Sequence, residues 1–350
     1  MTYDPPTDLL TLLSLPGVSG YEEPVTAFLA EQLEGVVQVR LDAIGNLTGT
    51  FGSEGPSVLM IVHTDEVGFV VSGIRDDGAL YLTPIGSWDL DALGGRQLDI
   101  HRRDGTAVPG VTITVPPHLD RNLSGTGAWR EGGQLVADVG ADDRDGVRAL
   151  GIDVLDSVTL ARDHAVLANG RIVARGLDNR FGCYLLLELA RSLAKAPPRN
   201  ARISLAWASQ EEVGFRGPMA LARREAFDAV IAIDAYPADR RPGAALATDA
   251  VRLGHGPVVR GADLTGVGST RFRDGILGLA AAHAVAVQPA YAQGHNQASV
   301  FHTAAAIAID LPVAYLHSAV ESIHPDDLHG AAVLLEAVVR HDAPEHLWTR

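Results

Sequence analysis

Apolar and polar positions along the chain alternate in two different rhythms. The segment "GYEEPVTAFLAEQLEG" sets Val25, Phe28, Leu29 and Leu33 at helical spacing, with Ser19 placed to cap the helix that follows. "VVQVRLDAIGNLTGTFG" and "SVLMIVHTD" then read as strands, and the second is apolar throughout, as a central strand covered on both faces must be. From about residue 68 to 165 the runs become short and alternating, broken by Asp-Gly turns at 77-78 and 104-105, which predicts a compact antiparallel module. Beyond it, "RIVARGLDNRFGCYLLLELARSLA", "ARISLAWAS", "AFDAVIAIDA" and "IDLPVAYLH" return to helices alternating with apolar strands. The alanine-rich "GILGLAAAHAVAVQ" reads as a packed helix. The pattern therefore predicts a β module inserted into an α/β domain, with residues 1-66 and 167-350 forming the larger unit and 67-166 the insert.

Composition narrows the function classes. The chain has 350 residues, 47% of them hydrophobic and 20% charged, enough to bury a sizeable core. Its 43 acidic and 28 basic residues give a formal charge of -15, which repels phosphate backbones and anionic lipid surfaces and argues against nucleic acid or membrane as partners. Cys183 is the single cysteine, so an intrachain disulfide is ruled out. With no basic leader followed by an apolar core at the start, a cytoplasmic location is the expectation.

The chemistry sits where the apolar strands stop. "VLMIV" runs into His63-Thr64-Asp65, "ISLAWAS" into Glu211-Glu212, "AVIAI" into Asp234 and "PVAYL" into His317. Ligands of open α/β sheets collect outside the carboxyl ends of the strands, so neighbouring parallel strands would bring these groups to one edge. Imidazole and carboxylate without a cysteine set suit zinc, cobalt, manganese or iron, and clustered carboxylates need cations to offset their repulsion. In His63-x-Asp65 the spacing allows Asp65 to orient a metal-bound imidazole, although a strand-end His followed by an Asp that caps the next helix would look the same. Asp178, in "GLDNRFG", reads either as a helix cap or as a carboxylate facing the crevice and bridging two metals.

In order along the chain, "LLSLPGVSGYEEPV", "VHTDEVGFVV", "DVGADDRDGVRALGIDVLDSV", "GLDNRFG", "ASQEEVGFRG", "IAIDA" and "LHSAVESIHPDDL" resemble the M42 family of metallopeptidases, the glutamyl and tetrahedral aminopeptidases. The resemblance covers nearly the whole chain. It implies a three-layer α/β/α zinc-peptidase-like domain carrying a small inserted β-barrel. It also implies two divalent metal ions per subunit, zinc or cobalt, with His63 and Asp234 on different metals, Asp178 bridging, and Glu212 and His317 as further ligands. Glu211 would be the general base for a water between the metals, and Asp65 would orient His63. Peptides are the implied substrates, losing their first residue. The implied assembly is a homodimer through the insert, extending in some members to a tetrahedral dodecamer.

Of the two histidines in "YLHSAVESIHPDD", the family's H-S-x-V-E pattern selects His317, leaving His324 as a surface or helix-start residue. His118 matches a family position in the insert and is expected to be structural. The chain departs from the family at Gly294-His295-Asn296-Gln297-Ala298, where Gly-Thr-Asp-Ala is common, and at Ala314-Tyr315, where Arg-Tyr is usual. Losing an acid and an arginine would alter the charges a substrate meets. An amidase or deacylase acting on a small amide, and a non-catalytic metal-stabilised assembly, remain open beside the aminopeptidase. A glycosidase is disfavoured, because adjacent residues of an extended chain point apart and Glu211 and Glu212 cannot flank one bond.

Overall fold

The computed structural model describes residues 3–114, 130–131, 134–198, 200–238 and 251–341. His118 lies outside them. Four parallel strands form the centre of a ten-stranded sheet, in the order Arg202–Ala208, Ser57–His63, Ala229–Ala232, Ala305–Val313. Antiparallel strands extend it on both sides: Leu47–Phe51 and Val39–Leu41 beyond the first, Val258–Asp263 beyond the last.

Alternation along these strands divides two apolar layers. Val58, Met60 and Val62 join Leu177, Phe181, Leu185, Leu334 and Leu335 in the larger core, under the helices Leu177–Lys195 and Pro325–Val339. Leu59 and Ile61 face the other way, onto Leu221, Phe227, Ala298 and Phe301. With side chains pointing alternately to opposite faces, a seven-residue strand apolar throughout can only be a central one, as the sequence pattern required. The result is the predicted α/β/α sandwich.

After His63 the chain leaves this sheet and builds a second one. Gly68–Ile74, Leu80–Ile85, Gln134–Asp138, Ala107–Thr112, Gln97–His101 and Ser157–Leu160 close into a six-stranded antiparallel barrel, since Leu80–Ile85 pairs with both Gly68–Ile74 and Gln134–Asp138. Its interior is filled by Phe69, Val71, Leu80, Leu82, Leu98, Ile100, Leu135 and Val158. The predicted Asp-Gly turns make two of its hairpins, where Gly78 and Gly105 take φ of 80° and 81°. The returning chain adds His164–Val166 and Ile172–Ala174 to a three-stranded sheet whose third member is Glu321–Ile323. That small sheet delivers the Asp178 and His317 segments to the same place. His324 caps the helix Pro325–Val339, its Nδ1 accepting from Asp326 N at 3.2 Å.

One local expectation is corrected. The helix Glu23–Gln32 begins without a side-chain cap, and Ser19 is turned away from it. Its hydroxyl donates instead to Asp65 Oδ2 at 2.6 Å.

Candidate metal centre

Parallel pairing puts the carboxyl ends of the four central strands at one edge, where buried polar side chains gather. His63 Nε2 lies 3.2 Å from Asp178 Oδ1 and 3.5 Å from Asp234 Oδ1. His317 Nε2 lies 3.3 Å from Glu212 Oε1 and 3.6 Å from Asp178 Oδ2. Donor atoms of His63, Asp178 and Asp234 fall within 4.8 Å of one another, as do those of Asp178, Glu212 and His317, and those of His63, Glu211 and Glu212. His63, Asp178, Glu211, Glu212, Asp234 and His317 therefore meet, and Asp178 stands between the two histidines.

Local backbone explains how each arrives. Asp178 is not a helix cap: it and Asn179 hold non-helical angles inside Leu177–Lys195, and Asn179 Nδ2 donates to Ile233 O at 2.7 Å, tying the bend to the Asp234 strand. Gln210, Tyr315 and His317 take positive φ of 52°, 61° and 55°. Such angles are costly for side chains with a Cβ and concentrate where a loop must aim a group. Glu321, which sequence reading used only as the last letter of a pattern, holds two of these groups. Its carboxylate accepts from His317 N at 2.8 Å and from Asp178 N at 3.1 Å. Burial, then the charge of Asp178, push its pKa up to about 8.

Asp65 departs in part from its expected role. His63 Nδ1 lies 3.1 Å from the Asp65 carbonyl oxygen, and the Asp65 carboxylate is farther away at 3.5 Å. The carboxylate instead accepts from Glu211 N at 2.9 Å and Glu212 N at 3.0 Å. With Nδ1 turned to an acceptor, a neutral His63 keeps its proton there and offers the Nε2 lone pair to the cluster.

Electrostatics show what the cluster lacks. Burial drives the Glu211 carboxyl well above the usual range, and the neighbouring Asp234, Glu212 and Asp65 add to it against the opposing pull of His63. Burial raises Glu212 as well. Desolvation alone would depress the imidazoles, yet the surrounding carboxylates outweigh it, raising His63 and lifting His317 to about 11. Asp178 Oδ1 is buried and, among the described residues, receives no aligned hydrogen bond. Four carboxylates sharing two imidazoles at these separations are short of positive charge, and an orphaned buried oxygen at their centre fits divalent cations.

The group least enclosed is His317, 25% exposed against 1% for His63. It lines a cavity of about 470 Å³ between the barrel and the last central strand, walled by Trp88, Leu93, Leu160, Val313 and Leu316. Of the clustered groups, His317 is the one that lines it.

Asn296, Gln297 and Ala298 are buried, and Asn296 Nδ2 donates to Asp263 at 3.0 Å. Asn296 and Ala298 line a separate cavity of about 680 Å³ that includes none of the clustered groups. Ala314 is buried in a bridge to Ser322.

Residues 45–334 match the model of the M42 glutamyl aminopeptidase family. The chain belongs to the M42 family. Among curated members, it is 29% identical to the glutamyl aminopeptidase of Lactococcus lactis, over 94% of both chains. Among solved structures, it superposes on the TET1 peptidase of Pyrococcus horikoshii with a TM-score of 0.87, at 29% identity over 95% of this chain and 98% of that one. An aminopeptidase from Desulfurococcus kamchatkensis gives a TM-score of 0.90, at 28% identity over 97% and 95%. Family membership makes the chain a peptidase, and the acid-imidazole cluster at its sheet edge is the M42 chain's candidate active site.

Proposed function

We propose that the chain is a di-metal aminopeptidase, removing the first residue of peptides that enter through the cavity beside His317. The observation that carries this reading is the double reach of Asp178: Oδ1 faces His63, close to Asp234, and Oδ2 faces His317, close to Glu212. A carboxylate so shared suits two cations, with Asp178 bridging; His63 and Asp234, which the resemblance put on different metals, are close enough to hold one together, and Glu212 and His317 would hold the other. Zinc or cobalt would match this mixed imidazole and carboxylate set. When bound, such ions supply Lewis acidity toward a scissile carbonyl and its attacking water.

The protein's own share is proton handling. Glu211 sits against both donor sets without being needed by either, and burial beside other acids makes it a stronger base than a free carboxylate. It takes a proton from the attacking water and returns it to the departing amine. The alternation of an extended chain lets adjacent Glu211 and Glu212 serve different partners.

Glu211→Gln tests the reading, with metal content and hydrolysis of aminoacyl reporters both measured. Bound metal should stay at the wild-type level while kcat falls by about 10²–10⁴, the range for loss of a general base. Unchanged turnover removes the base assignment, and activity restricted to N-blocked amides replaces the aminopeptidase with an amidase. Since the Pyrococcus relative is a peptidase that can assemble into a tetrahedron or a large octahedral shell, we also propose a homo-oligomer, built from dimers joined through the barrel and testable by sizing.

A further inference from the structure

The opening segment Gly17–Glu22 lies against the acidic edge although it holds none of the clustered donors. Val18 bridges Glu66 in parallel, with Glu66 N donating to Gly17 O at 2.9 Å and Gly17 N to Glu66 Oε1 at 3.1 Å. The approach is so close that a Cβ on Gly17 would sit 2.5 Å from Arg180 Nη2. From this docked position Ser19 reaches Asp65 Oδ2 at 2.6 Å, and Glu22 Oε1 accepts from Gly20 N and from Gln210 N, each at 2.9 Å. Asp65 completes the set by accepting from Glu211 N and Glu212 N. Three successive amides of the turn that follows the strand Arg202–Ala208 are therefore held by carboxylates from two other segments.

Glu22 accepts both of its bonds at one oxygen, as a Gln could, whereas Asp65 uses both of its oxygens, which the single carbonyl of an Asn cannot match. Its charge makes a carboxylate the stronger acceptor, which is what fixing a group in place calls for. The held residues are the base, one carboxylate of the metal centre, and Gln210, whose φ of 52° sets the direction in which both leave the strand. Ser19 in turn fixes the Asp65 carboxylate that does the holding.

We propose that Ser19 and Glu22 are positioning residues for catalysis: with Asp65 they clamp the Gln210–Glu212 turn so that Glu211 meets the attacking water. This rests on the aminopeptidase reading above. A catalytic group must be held within about 0.5 Å of its working position, and a displacement of about 1 Å costs on the order of a hundredfold in rate.

The test uses the metal-loaded full chain carrying Ser19→Ala, Ser19→Thr or Glu22→Ala. Amide hydrogen exchange of residues 210 to 212 should quicken by about tenfold or more in Ser19→Ala and Glu22→Ala while the strand Arg202–Ala208 keeps its protection. In the same two variants kcat should drop by roughly 10- to 100-fold with KM within about twofold and metal content unchanged, and Ser19→Thr should recover most of the loss. Wild-type exchange at 210 to 212, or a kcat loss that only tracks lost metal, overturns the clamp. Exchange does not depend on turnover, so a wild type inactive on free-amino peptides would overturn the aminopeptidase reading while the clamp is still read.

Discussion

Two clusters of buried charge lie within a few residues of each other after the strand Ser57–His63, and they are opposite in kind. In the first, Glu66 contacts Arg175 through one oxygen and Arg180 through the other, the latter at 3.4 Å, and Arg180 also donates to the Thr64 carbonyl. All three side chains are 5% exposed or less, and burial depresses both guanidinium groups, Arg175 to about 9. Here two arginines more than cover the single acid, and the set ties the Gly17 and Thr64 segments to the Leu177–Lys195 helix. In the second, Asp178, Glu211, Glu212 and Asp234 face two imidazoles and no arginine is within ion-pair reach among the described residues. Burial is common to both. The supply of cations is what separates structure from site: buried acids without enough cations of their own are built for something positive that arrives later.

Asp178→Asn attacks the unbalanced cluster at its centre and should have the largest effect. One shared oxygen becomes an amide, so bound metal by elemental analysis should fall to one ion or none and hydrolysis should become undetectable; two ions retained would refute the bridging role. Arg180→Met opens the arginine-bearing cluster, taking from Glu66 one of its two cations and from the Thr64 carbonyl a donor. Breaking a buried pair costs about 3–5 kcal/mol, so denaturant unfolding should show a drop of up to that order, with metal per folded molecule unchanged. Asp234→Asn should do the reverse in the metal-free protein. Relieving repulsion there should raise stability by about 1 kcal/mol while metal affinity falls, and a destabilised apo form would mean that the cluster is balanced after all.

The smallest effect is on pH dependence. Without metal, Asp178 and Glu212 hold His317 at about 11, above its ordinary 6.5. A raised histidine stabilises the fold fully below the ordinary value and loses that contribution as pH rises toward the folded one. The melting temperature of chelated protein should therefore decline from about pH 7 to 10, beyond any decline in the metal-loaded form, where cations replace the protons. Parallel curves would show that His317 does not carry the counter-charge.

How much was legible can be read from single residues. His63, Glu211, Glu212, Asp234 and His317 stood out because each follows an apolar run, and parallel pairing then brings them together. The two antiparallel hairpins announced themselves through Asp-Gly turns. Asp178 could be read two ways, as cap or as bridge, because the choice depends on backbone angles that an isolated "GLDNRFG" does not reveal. Ser19 was misread as a cap since its partner, Asp65, is 46 positions away. Glu321 gave no signal of its own, as nothing in a local sequence states that a glutamate will face two backbone amides from segments 143 and 4 residues distant. The buried setting of Asn296 and Gln297 was equally hidden, because polar side chains are ordinarily assigned to the surface.

By itself the sequence determined the alternation of strands and helices, the inserted β module, the family and the acids and imidazoles that end the central strands. These are local matters of period, turn chemistry and residue type. Tertiary structure alone decided that Asp178 lies between two histidines, that Asp65 grips the backbone of residues 211 and 212, that Glu66 meets two arginines while the clustered acids meet none, and that His317 is the least buried member. The physical reason is that charge balance and hydrogen-bond direction belong to sets of groups, and those sets exist only after distant segments have packed.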